Sequence, residues 1–131
     1  MFNSSVLLME TLKLYEKAVL KLLLKVVYSD KEISEIQEEF EFVSYEYTKW
    51  GYFLTIRHEI LPAERHVCQE PIVIGEASGA ICGFVLFLQD KELMLESYPC
   101  GEEELPENFR NQDVKVRPVR IESGKFIPLN I

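Results

Sequence analysis

The stretch Ile81 to Gln89 is apolar on both of its alternating residue sets. Successive side chains of a strand point to opposite faces. This segment therefore belongs in the middle of a sheet, covered on both faces or covered on one and lined by an aromatic layer on the other. Asp90-Lys91 follows at the length of a tight hairpin, and Glu92 to Tyr98 reads as the partner strand. Pro99-Cys100-Gly101 ends that strand and opens an acidic loop, Glu102-Glu103-Glu104.

Other strands gather around this hairpin. Phe40 to Thr48 and Tyr52 to His58 are rich in aromatic and β-branched residues and are separated by Lys49-Trp50-Gly51, which predicts two strands and a turn. Pro62 and Pro71 bracket a polar stretch, Ala63 to Glu70, that reads as a loop. Ile72-Val73-Ile74 is a short strand closed by the turn Ala77-Ser78-Gly79. Val114 to Ile121 is the last strand; Pro118 places it at a sheet edge, and Gly124 and Pro128 leave an irregular tail.

Ahead of the strands the period changes. Lys13, Lys17, Lys21 and Lys25 fall four apart from Ser5 to Tyr28, and nearly everything between them is apolar, including Leu22 and Leu23. Residues four apart share one helix face, so the pattern predicts one long helix with a wet lysine stripe on a buried cylinder. Ser4 or Ser5 supplies a cap, and Ser29-Asp30 marks the exit. Ser29-x-x-Glu32 fits a capping box for a short second helix through about Glu38. The expected fold is a single α+β domain over residues 1–131: a long N-terminal helix packed on a curved, mostly antiparallel meander sheet of five to six strands. It is a two-layer arrangement, cystatin-like or a similar helix-on-curved-sheet fold.

Composition excludes several function classes. The 131 residues carry 14 Lys+Arg against 22 Asp+Glu, a formal charge of −8, which argues against non-specific nucleic-acid binding and favours a basic partner. Residues 1–10 lack a basic n-region, so no cleavable secretory signal is expected. The uncharged run Ala77 to Gln89 is too short for a membrane span. Cys68, Cys82 and Cys100, odd in number and without paired spacing, read as reduced thiols of a cytoplasmic protein.

Chemistry-bearing clusters are sparse. His66-x-Cys68 puts two ligands on one strand face, but a structural zinc site needs four, and no CxxC or HxxxH pair exists, so no metal is expected. Cys68 with His58 or His66 imitates a thiol–imidazole pair, and His58 with Glu64 imitates a proton relay, without a nucleophile elbow beside either. Gly75-x-x-x-Gly79 lacks the Lys-Ser/Thr of a phosphate loop. No catalytic residue and no cofactor follow from these patterns.

Charge patterning carries more. Residues 30–48 hold seven acids and one base, and residues 90–107 another seven acids and one base. Three consecutive glutamates in a loop cannot all be satisfied internally and so project into water. The candidate partner-binding residues are therefore Glu102, Glu103, Glu104 and Glu107, supported by Asp90, Glu92 and Glu96 of the adjacent hairpin.

The segment from Gly83 through Tyr98, continuing from Gly101 to Arg110, resembles small acidic immunity proteins of bacterial polymorphic and contact-dependent growth-inhibition toxin systems. That resemblance implies a cytoplasmic, non-catalytic inhibitor whose acidic surface covers a basic toxin domain, often a nuclease. Two other expectations stand beside it. One is a small-ligand-binding or enzymatic α+β domain with a pocket between helix and sheet near His58, His66 and Tyr98. The other is a structural subunit using the aromatic strand Phe40–Tyr47 as an edge.

Overall fold

A computed structural model describes residues 11–130; the part of the expected long helix before Thr11 lies outside them. Within them the helix is shorter than its lysine spacing predicts. Helix α1 runs Leu14–Leu24, because the Glu16 carboxylate turns back to accept the Lys13 backbone N–H at 2.8 Å and closes the first turn there. At the other end Val27 and Tyr28 both donate to the Leu24 carbonyl, which tightens the chain into a turn before residue 28. Ser29 then caps helix α2 (Asp30–Glu39): its hydroxyl accepts from the Glu32 N–H, and the Glu32 carboxylate accepts from the Ser29 N–H. Gln37 ties the pair together by donating to the Lys17 carbonyl at 2.8 Å.

This break changes which side chains are covered. Val19, Leu20, Leu23 and Leu24 are fully buried, whereas Leu22 is only half-buried and Leu14 and Val26 are exposed. Lys21 and Lys25 face water, but Lys13 and Lys17 are half-buried. The lysine stripe is real, yet the apolar arc opposite it is narrower than the spacing predicts.

The sheet has eight strands rather than five or six, every pair antiparallel: β1 (Glu41–Tyr47), β2 (Tyr52–Arg57), β3 (His66–Cys68), β4 (Ile72–Ala77), β5 (Ala80–Gln89), β6 (Glu92–Pro99), β7 (Lys115–Glu122) and β8 (Lys125–Pro128). The order is β1-β2-β6-β5-β4-β7-β8, with β3 beside β5. Strand β5 pairs with β6 along one edge and with β3 and then β4 along the other, the central position that its doubly apolar sequence demands.

Two of the extra strands come from segments expected to be irregular. His66–Cys68, inside the expected loop, pairs with Leu86–Leu88. The tail returns as β8 because Ser123 and Gly124 both hold positive φ (50° and 75°), the geometry of a two-residue hairpin turn. Pro118 therefore lies inside the sheet, not at its edge. An antiparallel residue directs its N–H and C=O to the same neighbour, and the Pro118 carbonyl accepts from Leu129, just past the end of β8. The missing donor thus falls where β8 stops, and the ladder to β4 stays intact.

Tyr52, Leu54 and Ile56 of β2, Leu93 and Leu95 of β6, and Cys82, Phe84, Leu86 and Leu88 of β5 form one core with both helices. The registers place the alternate residues Phe53, Met94, Val85, Phe87 and Ile74 on the opposite face, which neither helix covers.

Candidate functional site

The largest buried polar cluster sits where α1 meets the sheet. The Glu16 carboxylate accepts from Arg110 Nε at 2.9 Å, from Arg110 Nη2 at 3.0 Å, from the Tyr52 hydroxyl at 2.6 Å and from the Lys13 backbone N–H at 2.8 Å. The Tyr15 and Tyr52 hydroxyls bond at 2.7 Å, and the Arg110 guanidinium also reaches the Thr11 carbonyl and lies 5.0 Å from the Tyr45 ring centre. Burial pushes both Tyr15 and Tyr52 well above the usual phenol range, with the Glu16 charge acting in the same direction. Glu16 is 0% exposed and Arg110 3%. Four donors saturate the Glu16 carboxylate, so this cluster holds two distant parts of the chain together. Sequence reading missed it, since Glu16 looks like any helix acid and Arg110 like any loop base.

The residues expected to converge on a pocket do not meet. Tyr52 pairs with Ser97 and Arg57 with Glu92, which puts His58 and Tyr98 at opposite ends of the β2–β6 pair, about 20 Å apart along the strands. His58 Nδ1 accepts from the Ile60 N–H in a turn, while His66 is exposed on β3. The core packs between helices and sheet and leaves open clefts at its margins, one where Leu23, Val26 and Val27 face His66 to Glu70 and one where Leu14, Tyr15 and Ala18 face Val114 to Val116. Among the described residues no group of three His, Cys, Asp or Glu side chains is placed to hold a metal ion. The cysteines are free; burial pushes the Cys82 thiol up to about 12, and Cys68, expected in a loop, is buried on β3.

The seven candidate acids separate into three places. Glu102, Glu103 and Glu104 are exposed on the loop after β6, at the end of the sheet that carries the β1–β2 turn. That loop is pinned: Leu105 donates to the Trp50 carbonyl at 3.2 Å, Tyr47 donates to the Leu105 carbonyl at 2.7 Å, and Lys49 lies 3.5 Å from Glu104. Trp50, 53% exposed, therefore stands beside the acidic loop. Glu107 lies at the same end, lining a shallow cleft with Tyr45, Tyr47, Arg110 and Asn111. Asp90 and Glu92 occupy the opposite end of β6, where Glu92 pairs with Arg57. Glu96 lies between the two ends, on the sheet face that the helices leave uncovered.

That face is the most unusual surface of the molecule. An antiparallel sheet with helices on one side ordinarily alternates to polar residues on the other. Here the outward set includes the half-buried Phe53, Met94, Phe87 and Ile72 around the buried Val85 and Ile74, continuing into a groove lined by Tyr98, Cys100, Ile121 and Phe126. Ile121 is 56% exposed and Tyr98 39%. The apolar character of this face, with Tyr98 and Ile121 exposed at its border, distinguishes it from an ordinary solvated sheet face. No protein-family model, curated protein or solved structure matches this chain.

Proposed function

We propose that the protein is a non-catalytic inhibitor of the immunity-protein type, which binds a basic toxin domain stoichiometrically through the uncovered sheet face and the acidic end of the sheet. The observation that carries this reading is the apolar outward set of β2, β6, β5 and β4, left bare by both helices among the described residues. Trp50 and the pinned acidic loop extend the surface at one end, an exposed aromatic beside carboxylates that match a cationic partner. The chain's net charge of −8 steers such a partner inward. A cytoplasmic site of action follows from this role.

The enzymatic or ligand-binding alternative has less support, because His58 and Tyr98 lie at opposite ends of the β2–β6 pair and the carboxylate of the buried Glu16 cluster is saturated. Use of β1 as an assembly edge is likewise disfavoured: its register shifts between Phe42 and Ser44, and it carries Glu41 and Glu46. Bulges and charges are how sheet edges resist pairing with another strand.

The test is binding and neutralisation of a basic protein domain encoded beside the gene. Wild-type protein forms an equimolar complex, Phe53→Lys abolishes it, and the triple change Glu102→Lys/Glu103→Lys/Glu104→Lys slows association and flattens its salt dependence. Absence of binding to any basic protein encoded nearby would sink the proposal.

A further inference from the structure

On the uncovered sheet face, Glu96 is set apart from every other acid. Its row across the strands reads Glu46–Phe53–Glu96–Val85, and Met94 and Tyr98 flank it along β6. Its surroundings are therefore apolar and aromatic. Glu92 and Glu76, farther along this face, have arginines of their own, Arg57 and Arg117, and Glu46 is separated from Glu96 by the Phe53 strand. Among the described residues no cation or hydrogen-bond donor pairs with Glu96. Partial burial without compensation pushes its carboxyl above the usual carboxylate range.

Tyr98 is held in place by its neighbour. A Cβ on Gly83 would lie 2.4 Å from Tyr98 Cζ, so the ring rests directly over the Gly83 backbone and presents its other side outward next to Glu96. Phe53 flanks the carboxylate on the next strand.

We infer that Glu96 is the anchoring carboxylate for an arginine of a basic partner protein, with the guanidinium paired to Glu96 between Tyr98 and Phe53 and flanking apolar side chains of the partner laid on Met94 and Phe87. The inference rests on the docking reading above and names its central contact. Arginine suits the site better than lysine because its planar group pairs with a carboxylate through two bonds and stacks on aromatic faces. A second copy of this chain suits it less, since a two-fold contact here would bring Glu96 and Glu46 of both copies together on chains of net charge −8.

The experiment titrates the peptide acetyl-Leu-Arg-Phe-amide, and its citrulline counterpart, into the isotope-labelled full chain by NMR. The expected result is saturable millimolar binding with shifts centred on Phe53, Val85, Met94 and Tyr98, weakened about five-fold or more by citrulline and by Glu96→Gln. The Glu96 carboxyl pKa falls as the peptide binds. The triple change at Glu102–Glu104 leaves these shifts where they are. Equal binding to Glu96→Gln, no saturation, or shifts centred on the acidic loop would overturn the inference. So would a concentration-dependent dimer abolished by Phe53→Lys, which assigns the face to a second copy. Peptide binding at Glu96 without binding of any basic protein encoded nearby removes the inhibitor reading alone. Full-strength toxin binding by Glu96→Gln removes the anchor alone.

Discussion

Replacing Arg110 by Met leaves the Glu16 carboxylate charged and buried with two of its four donors gone. The removed contacts are the pair at 2.9 and 3.0 Å, both charge-assisted, in a site where Glu16 is 0% and Arg110 3% exposed. Bonds to charged groups contribute about 1.5–3 kcal/mol each, so two give roughly 3–6 kcal/mol. Removing one partner of a buried ion pair costs about 3–5 kcal/mol, which agrees. In urea, at an m-value of about 2 kcal/mol/M, the midpoint should fall by about 2 M. Far-UV circular dichroism is the assay, because Trp50 is largely exposed and reports poorly on the core. The companion variant Glu16→Leu/Arg110→Met removes both charges and should recover most of the loss, since burying an ion pair brings little net stability over apolar replacement. An Arg110→Met protein within about 1 kcal/mol of wild type would refute the reasoning, because the carboxylate would then have found water or another donor.

Alkaline stability tests the same cluster through its phenols. Tyr15 and Tyr52 titrate higher folded than unfolded, so their contribution is complete below about pH 10 and is lost as pH rises above it, by up to about 1.4 kcal/mol per pH unit for each; Tyr15→Phe/Tyr52→Phe should flatten that slope in denaturation curves at pH 9–11. Gly83→Ala should cost about 1–3 kcal/mol, because its Cβ would meet the Tyr98 ring at 2.4 Å, and adding Tyr98→Ala should relieve that strain; an additive double variant would show that the two residues do not touch. In thiol labelling of the native protein, Cys100 should react first and Cys82 last, since Cys82 is 0% exposed and its thiol is raised to about 12; early labelling of Cys82 would contradict its place on β5.

The central hairpin was legible because its signals are local and redundant: a doubly apolar strand, a two-residue turn with Asp90 and Lys91 both at positive φ, and a partner strand of matching length. The capping box at Ser29 and Glu32 was legible for the same reason. The helix start was not, because a side chain of the helix's own first turn, Glu16, decides it, while Arg110, in a short 3-10 turn 94 residues away, holds that carboxylate. Strand β3 was hidden because three residues in a polar stretch become a strand only through β5 beside them. The candidate acids were found by composition, but their division into two ends and a face depends on strand register, which charge counting does not contain. Glu96 gains its distinct character only once Phe53, Val85 and Tyr98 surround it.

Strand β5 joins two leaves of the sheet, β1-β2-β6 on one side and β4-β7-β8 on the other. The hairpins within each leaf close over short loops, but β2 meets β6 across a sequence separation such as the 35 positions from Arg57 to Glu92. Closing such a loop is entropically costly before its contacts repay it, so the β5–β6 hairpin should form early and serve as a template on which each leaf is then laid. A chain released from the ribosome reaches this template only after Pro99 has emerged, leaving the aromatic strands β1 and β2 waiting with their apolar faces open. The interval between the synthesis of Tyr52 and that of Ser97 is thus when this protein is most exposed to misassociation, and a chaperone that holds extended aromatic segments would act on it there.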